Sequence, residues 1–360
     1  MSGVLHVLSA GPGVTVQDAG RRGFLRYGVT VAGPMDPAAF ALANRAAGNP
    51  PDTAAIEISL GGLEITADGA PVDVALAGGA FDIRLDGRAL PAAVALKLMP
   101  GARLSVKPGP AGAWACLAVA GGLDIAPVLG SRATHTRSGM GGQEGRGLRS
   151  GDRLPVGAAV PRAAGPFRIL ADWLAPDERP IRVVPGPQDD FFAPDQIAAF
   201  LATGWRISPR SDRMAYALEG PPLTHARGHD IVSDGVAFGA IQVPGSGLPF
   251  VLMADRQPTG GYPKIATVIG ADLGRLAQRR PGQMVHLAAV SLAEAVAARA
   301  TLAHRLSAPP ELQPLVRTDL SSELLLGQNL VSGAVNARDP DPEADSPRAS
   351  GITSPASSSG

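Results

Sequence analysis

The sequence predicts a mainly β protein with a few helices, arranged as two related modules in tandem. Three observations carry that expectation: short segments that alternate with period two, a turn-then-strand unit that recurs in both halves, and a composition made for tight turns. Val72-Asp73-Val74-Ala75-Leu76 and Phe81-Asp82-Ile83-Arg84-Leu85 alternate as half-buried antiparallel strands do, and the second is closed by the hairpin pair Asp86-Gly87. Pro100-Gly101 before Arg103 to Val106, Ser150-Gly151 before Arg153 to Val156, and Pro281-Gly282 before Met284 to Leu287 repeat one unit. The chain of 360 residues has 45 glycines and 34 prolines with only 4% aromatics, which favours many short strands over a helical bundle.

Further echoes support duplication. Arg137-Ser138-Gly139-Met140 is similar to Arg210-Ser211-Asp212-Arg213-Met214, and Leu60-Gly61-Gly62-Leu63 to Glu219-Gly220-Pro221-Pro222-Leu223. Asp18 followed by Gly23-Phe24-Leu25-Arg26 is similar to Asp255 followed by Gly261-Tyr262-Pro263-Lys264. Related modules facing each other would bring these acid, glycine and base groups to corresponding points of a shared cleft.

Three helices are expected to interrupt the strands. The first has Asp36 as N-cap and Pro37 at its first position, and it stops at Gly48-Asn49-Pro50. The second lies near Asp195 to Leu201. The third opens on the capping-box pair Ser291 and Glu294 and runs to about Arg305. The expected organisation is a first β module over residues 1–157, a linker near 158–166, a second β module over 167–306, and a tail over 307–360 whose Pro, Ser, Asp and Gly content suits disorder.

Thirty-two basic residues balance thirty-two acidic ones, so no electrostatic footprint for nucleic acid or an anionic membrane surface is present. No run of about 18 apolar residues occurs, and the first ten residues lack the features of a signal peptide. A cytoplasmic protein with a small-molecule substrate and protein partners is expected. The single cysteine, Cys116, sits in the apolar run Ala115 to Val119, as a buried small hydrophobe does. His225 and His229 are four apart, but Gly228 and nearby prolines argue against one helical face, and no metal is expected. Gly11-Pro12-Gly13 and Gly245-Ser246-Gly247 lack the Lys-Ser/Thr of a phosphate-cradling loop.

The richest polar stretch is Ala254 to Lys264. A solvated loop would explain its composition, yet apolar runs flank it on both sides, Pro249 to Met253 and Ile265 to Ile269, and buried strands hold such a loop rigidly. Lys264 suits pairing with an anionic oxygen, Asp255 suits orienting it or taking a proton, and Gln257 and Thr259 suit an amide or carboxylate. In the first half Gln17, Asp18 and Arg21 form a similar group, with Gly20 and Gly23 admitting close approach of backbone. Glu57, alternating with apolar neighbours, is read as a weak candidate that faces solvent, and Arg213 as one that pairs with a surface acid.

Taken together, Val16-Gln17-Asp18-Ala19-Gly20-Arg21, Gly28-Val29 through Gly33-Pro34-Met35-Asp36, Leu42-Ala43-Asn44 with Gly48-Asn49-Pro50, Ala118 to Asp124 with Gly130-Ser131-Arg132, Pro185-Gly186-Pro187-Gln188, Ser211 to Met214, and Ala254 to Lys264 resemble the biotin-dependent carboxyltransferase family. That family includes the C-type subunit of bacterial ATP-dependent 5-oxoprolinase, the antikinase KipA and the carboxyltransferase region of urea amidolyase. The resemblance covers roughly residues 4 to 290 and departs at Arg22, where the family pattern has proline. It implies two cyclophilin-like β-barrel modules. It also implies a catalytic set of Asp255, Lys264, Gln257 and Tyr262, with Gln17, Asp18, Arg21, Arg213, Arg256, Thr259, Gly260 and Gly261 binding substrate.

The activity the resemblance implies first is ATP-dependent opening of 5-oxo-L-proline to L-glutamate, carried out with two further subunits of A and B type and with an ATP site shared with a partner. The alternatives are carboxyl transfer from carboxybiotin to urea or a related amide, and an antikinase-type regulatory binding role. No Met-Lys-Met sequence is present, so the chain does not look like a biotin carrier itself.

Overall fold

The computed structural model describes residues 3–159 and 165–316. Two sheets dominate. The first runs in the order 312–314, 167–169, 94–98, 72–85, 103–119, 63–68, 4–10, 153–155, antiparallel throughout, and the strand Thr15–Gln17 joins it through Ala55–Ile58. The second runs 284–285, 205–207, 215–219, 250–252, 240–242, 264–268, 181–185, 287–289, with only its last pair parallel. The architecture is mainly β, with a nearly closed barrel sheet, as expected.

The turn signals act where the sequence places them. Asp86 and Gly87 both take positive φ, 48° and 80°, the backbone that a two-residue hairpin between Val72–Leu85 and Arg88–Leu90 requires. The two alternating segments of the sequence belong to one strand, Val72–Leu85, whose register shifts at Gly78 and Ala80 break the period between them.

Four helices occur among the described residues: α1 (Pro37–Ala46), α2 (Pro194–Ala202), α3 (Leu273–Ala277) and α4 (Leu292–Ser307). Three lie where expected. The fourth, α3, is five residues long, too short to leave a periodic signal. Ser291 and Glu294 form the full capping box of α4.

Two strands belong to the first sheet although the expected bounds put one in the second module and the other in the tail. Phe167–Ile169 pairs with Val94–Leu98 of the first sheet, and Leu312–Pro314 pairs with Phe167–Ile169, so the chain returns to the first module twice. Residues 160–164 of the expected linker, and 317–360 of the expected disordered tail, lie outside the described residues.

The two modules share a seam that is apolar in part. Met35, Ala113 and Trp114 of the first half pack into the apolar core of the second. Gln278, at the end of α3, accepts from the amides of Ala113 and Trp114 at 2.8 and 3.1 Å and donates to the Trp114 carbonyl at 2.9 Å and to Asp36 at 2.8 Å. Trp114 Nε1 donates to the Tyr216 hydroxyl, which donates to the Ala277 carbonyl.

Asp36 therefore serves two ends at once, since its Oδ1 also accepts from the amides of Ala38 and Ala39 at the start of α1. Loss of an N-cap costs roughly 0.5–2 kcal/mol, and a stranded amide donor adds to that. Asp36→Ala is expected to destabilise the protein by about 1–3 kcal/mol, read as a lowered urea midpoint at unchanged slope.

Candidate functional site

The centre of the seam is an ionic cluster. Ala55–Ile58, flanked on both sides by paired strands, carries Glu57 with 3% exposure, because the face that alternation assigns to solvent is covered by α1 and the Met35 loop of the first half and by Arg213 of the second. Glu57 is bound by Arg213 Nη1 and by the Met35 amide at 2.6 Å. Arg213 in turn donates Nε and Nη2 to the two oxygens of Asp255, both at 2.9 Å, and Nη2 to the Gly33 carbonyl at 2.6 Å. Glu57 facing solvent and Arg213 pairing at the surface are thus both overturned: the two side chains pair with each other in the interior, where the first half's α1 layer meets the second module.

Burial pushes the Glu57 carboxyl up to about 7, with Arg213 and the Met35 amide pulling it back and the Asp255 and Asp36 charges adding to the rise. Burial works against the Arg213 charge, but Glu57 and Asp255 more than offset it and hold that guanidinium above its ordinary value.

Arg21 stands close enough to feel Asp255. It is 1% exposed, donates Nη2 to the Ala133 carbonyl at 2.5 Å, and leaves Nη1 buried with no acceptor among the described residues. Burial lowers its pKa, with Asp18 and Asp255 opposing. A Cβ on Gly141, whose φ is +71°, would stand 2.6 Å from Arg21 Nη2, so that glycine makes the room the guanidinium occupies.

His135 completes the group. Its Nδ1 lies 2.6 Å from the Ser138 hydroxyl, and burial lowers its pKa against the pull of Asp255, with Arg21, Arg213 and Arg137 adding to the lowering. Sequence reasoning missed His135, since a lone histidine between Thr134 and Thr136 carries no spacing signal.

The other expected residues take separate places. Gln17 spends its amide on Thr15, the Thr134 carbonyl and the Gly33 amide. Asp18 accepts from the Gly20 amide, the Ser131 hydroxyl and the Arg132 amide. Both fasten the loops around Arg21.

The segment 255–264 divides. Asp255 (5% exposed) and Arg256 (8%) are buried, and Arg256 donates to the carbonyls of Val236 and Met253 while its own carbonyl accepts from Thr30. Lys264, 3% exposed, pairs with Asp234 at 3.0 Å and holds that carboxyl low. Lys264 and Asp255 therefore bind different partners rather than each other. Gln257, Thr259, Gly260, Gly261 and Tyr262 lie at or near the surface, with Thr259–Gly260 paired to Asp234–Gly235.

His225 hydrogen-bonds the Val243 carbonyl, and no group of three or more metal-ligating side chains occurs among the described residues. Cys116 is buried, and desolvation raises its thiol well above the ordinary value, as an inert core cysteine requires.

The family description "Carboxyltransferase domain, subdomain A and B" matches residues 27–289. The chain belongs to this carboxyltransferase-domain family. Within it, the chain is 40% identical over 301 residues to the 5-oxoprolinase C subunit of Escherichia coli (strain K12), covering 82% of this chain and 94% of that protein. The corresponding C subunit of Haemophilus influenzae is 33% identical over 302 residues, again covering 82% and 94%. Among solved structures, the Kluyveromyces lactis urea amidolyase superposes with a TM-score of 0.78 at 28% identity, covering 84% of this chain, which spans only 20% of that protein. No helix among the described residues of this carboxyltransferase-domain chain is long and apolar enough to cross a membrane.

Two outcomes follow from the cluster. Arg213→Met strands two buried carboxylates and is expected to destabilise the protein by roughly 3–5 kcal/mol in urea unfolding. Glu57 binds its proton more tightly folded than unfolded, so its contribution to stability falls as pH rises from about 4.5 to about 7. Against Glu57→Gln, which cannot titrate, the wild type should lose relative stability across that window and run parallel above it.

Proposed function

We propose that the chain is the C-type subunit of an ATP-dependent 5-oxoprolinase that opens 5-oxo-L-proline to L-glutamate together with A- and B-type subunits. The observation that carries this reading is the 40% identity along 94% of the E. coli protein. A lactam is a poor electrophile; phosphorylation of its oxygen by ATP opens the carbon to water, the ring C–N bond then breaks with the nitrogen leaving as the amine, and a second water displaces phosphate from the acyl phosphate to leave glutamate. In this reading the nucleotide occupies a site shared with a partner subunit.

The seam between the modules suits the rest of the chemistry. Arg21 Nη1 is a buried donor with no acceptor among the described residues, and a lactam or carboxylate oxygen would satisfy it. Asp255 is fixed in plane by two hydrogen bonds from Arg213, and a carboxylate with about four lone-pair sites keeps capacity to orient or deprotonate a reacting group. His135, its Nδ1 held by the Ser138 hydroxyl, lies near enough to feel the Asp255 charge. Lys264 anchors the far end of the segment through Asp234, and Gln257, Thr259, Gly260, Gly261 and Tyr262 form its outer surface, where a partner subunit would meet it.

A second reading, carboxyl transfer from a biotinylated carrier to urea or a related amide, is favoured by the structural match to urea amidolyase. Avidin blotting of proteins that co-purify separates the two, since only the second requires a biotinylated partner. Reconstitution with the two other subunits tests the first. Asp255→Asn and Arg21→Gln are expected to lower kcat by about 100-fold or more with ATP and 5-oxoproline, while Lys264→Ala has a smaller effect. Full turnover by Asp255→Asn would move the chemistry elsewhere.

A further inference from the structure

Beside the seam, between α4 and the second module, lies a cavity of about 310 Å³. That is the small end of the range for ligand pockets, roughly 300–1,000 Å³. Five arginines line it, Arg179, Arg182, Arg275, Arg279 and Arg305, against three aspartates. All three aspartates are already met. Asp272 accepts from Arg182 at 2.7 and 3.0 Å and from Arg275 at 2.9 Å, Asp177 accepts from Arg179 and Arg275, and Asp36 is taken by the α1 amides and Gln278. Arg279 and Arg305 have no carboxylate partner among the described residues, so the cavity holds two positive charges in excess.

We propose that this cavity is a binding site for a small phosphorylated anion, gripped by Arg279 and Arg305 with Trp173 at its rim. A phosphoryl group carries about two negative charges and three acceptor oxygens, matching two guanidiniums that lack carboxylates; a single carboxylate would balance only one. Arg279 has one side-chain hydrogen bond among the described residues, from Nη2 to the Asp177 carbonyl, which leaves its other N–H groups for a ligand. Burial and the adjacent Arg275 charge lower its pKa against the weaker pull of Asp177 and Glu178, a cost that an arriving anion relieves.

The helix is built for this. Ala298, Thr301, Leu302 and Arg305 of α4 face the cavity at spacings of three and four, one stripe of one face, and no residue of α4 is buried in the core. The site shares no charged residue with the Arg213–Asp255–Glu57 network and does not rest on the 5-oxoprolinase reading.

Calorimetric titration of the full chain at low salt with inorganic pyrophosphate, ADP and L-glutamate tests it. Saturable one-to-one binding of pyrophosphate or ADP is expected, weakened at least tenfold by Arg305→Ala and by Arg279→Gln. Arg305 is exposed and has no ion-pair partner among the described residues, so its variant keeps the fold, as circular dichroism would verify. Binding of both phosphates points to the phosphoryl group alone, and binding of ADP alone to a phosphate ester that also uses Trp173. No binding of either, binding untouched by both variants, or preference for glutamate would overturn the proposal.

Discussion

One guanidinium, Arg213, is the constraint on which the architecture turns. It lies between a carboxylate of the first module, Glu57, and one of the second, Asp255, with the Gly33 carbonyl closing its fork. Burying charge is expensive, and attraction between buried ions repays it only when geometry is good and remaining lone pairs are met. Arg213 and Asp255 pair within the second module, and Glu57 and the Gly33 carbonyl of the first module take the remaining donors of the fork. The ion network therefore sets how the halves are registered, while the apolar packing of Met35, Ala113 and Trp114 supplies the adhesion.

The same seam explains why acid and base groups gather there without neutralising one another completely. Arg21 contributes a second buried cation with an unmet nitrogen, and Glu57 relieves crowding among carboxylates by holding its proton to about pH 7. A site with a spare donor and a proton of adjustable occupancy is more useful to chemistry than a closed salt bridge. Gln17 and Asp18, fully committed to neighbouring loops, keep Arg21 where it is.

Local features were legible in the sequence and tertiary ones were not. Asp86-Gly87, Asp36-Pro37 and Ser291 with Glu294 each act within a few residues, and each forms the turn or cap its chemistry dictates. The apolar runs flanking Ala254 to Lys264 correctly signalled a partly buried segment held between strands. Glu57 and Arg213 were misjudged because alternation describes one sheet and says nothing of what is laid over its outer face, here α1 and, at Glu57, Arg213 of the second module. Lys264 was grouped with Asp255 because they are neighbours in sequence, whereas the small pair of strands at Asp234–Gly235 and Thr259–Gly260 accompanies a turn away from Asp255 and toward Asp234. Arg137 and Asp212, from the two similar Arg-Ser segments, pair at 3.3 Å.

The strand Leu312–Pro314 lies at the border of the first sheet, next to Phe167–Ile169 and far in sequence from everything else in that layer. During synthesis the amino-terminal half therefore emerges with a raw border of unpaired amides and carbonyls that stays unfinished until the strand at Leu312–Pro314 has left the ribosome. Such a border is sticky toward other nascent chains, and pairings so distant along the polypeptide close slowly. Maturation of the first half is thus tied to arrival of the carboxyl-terminal portion, which makes truncation from that end a defect of the beginning of the molecule as much as of its end.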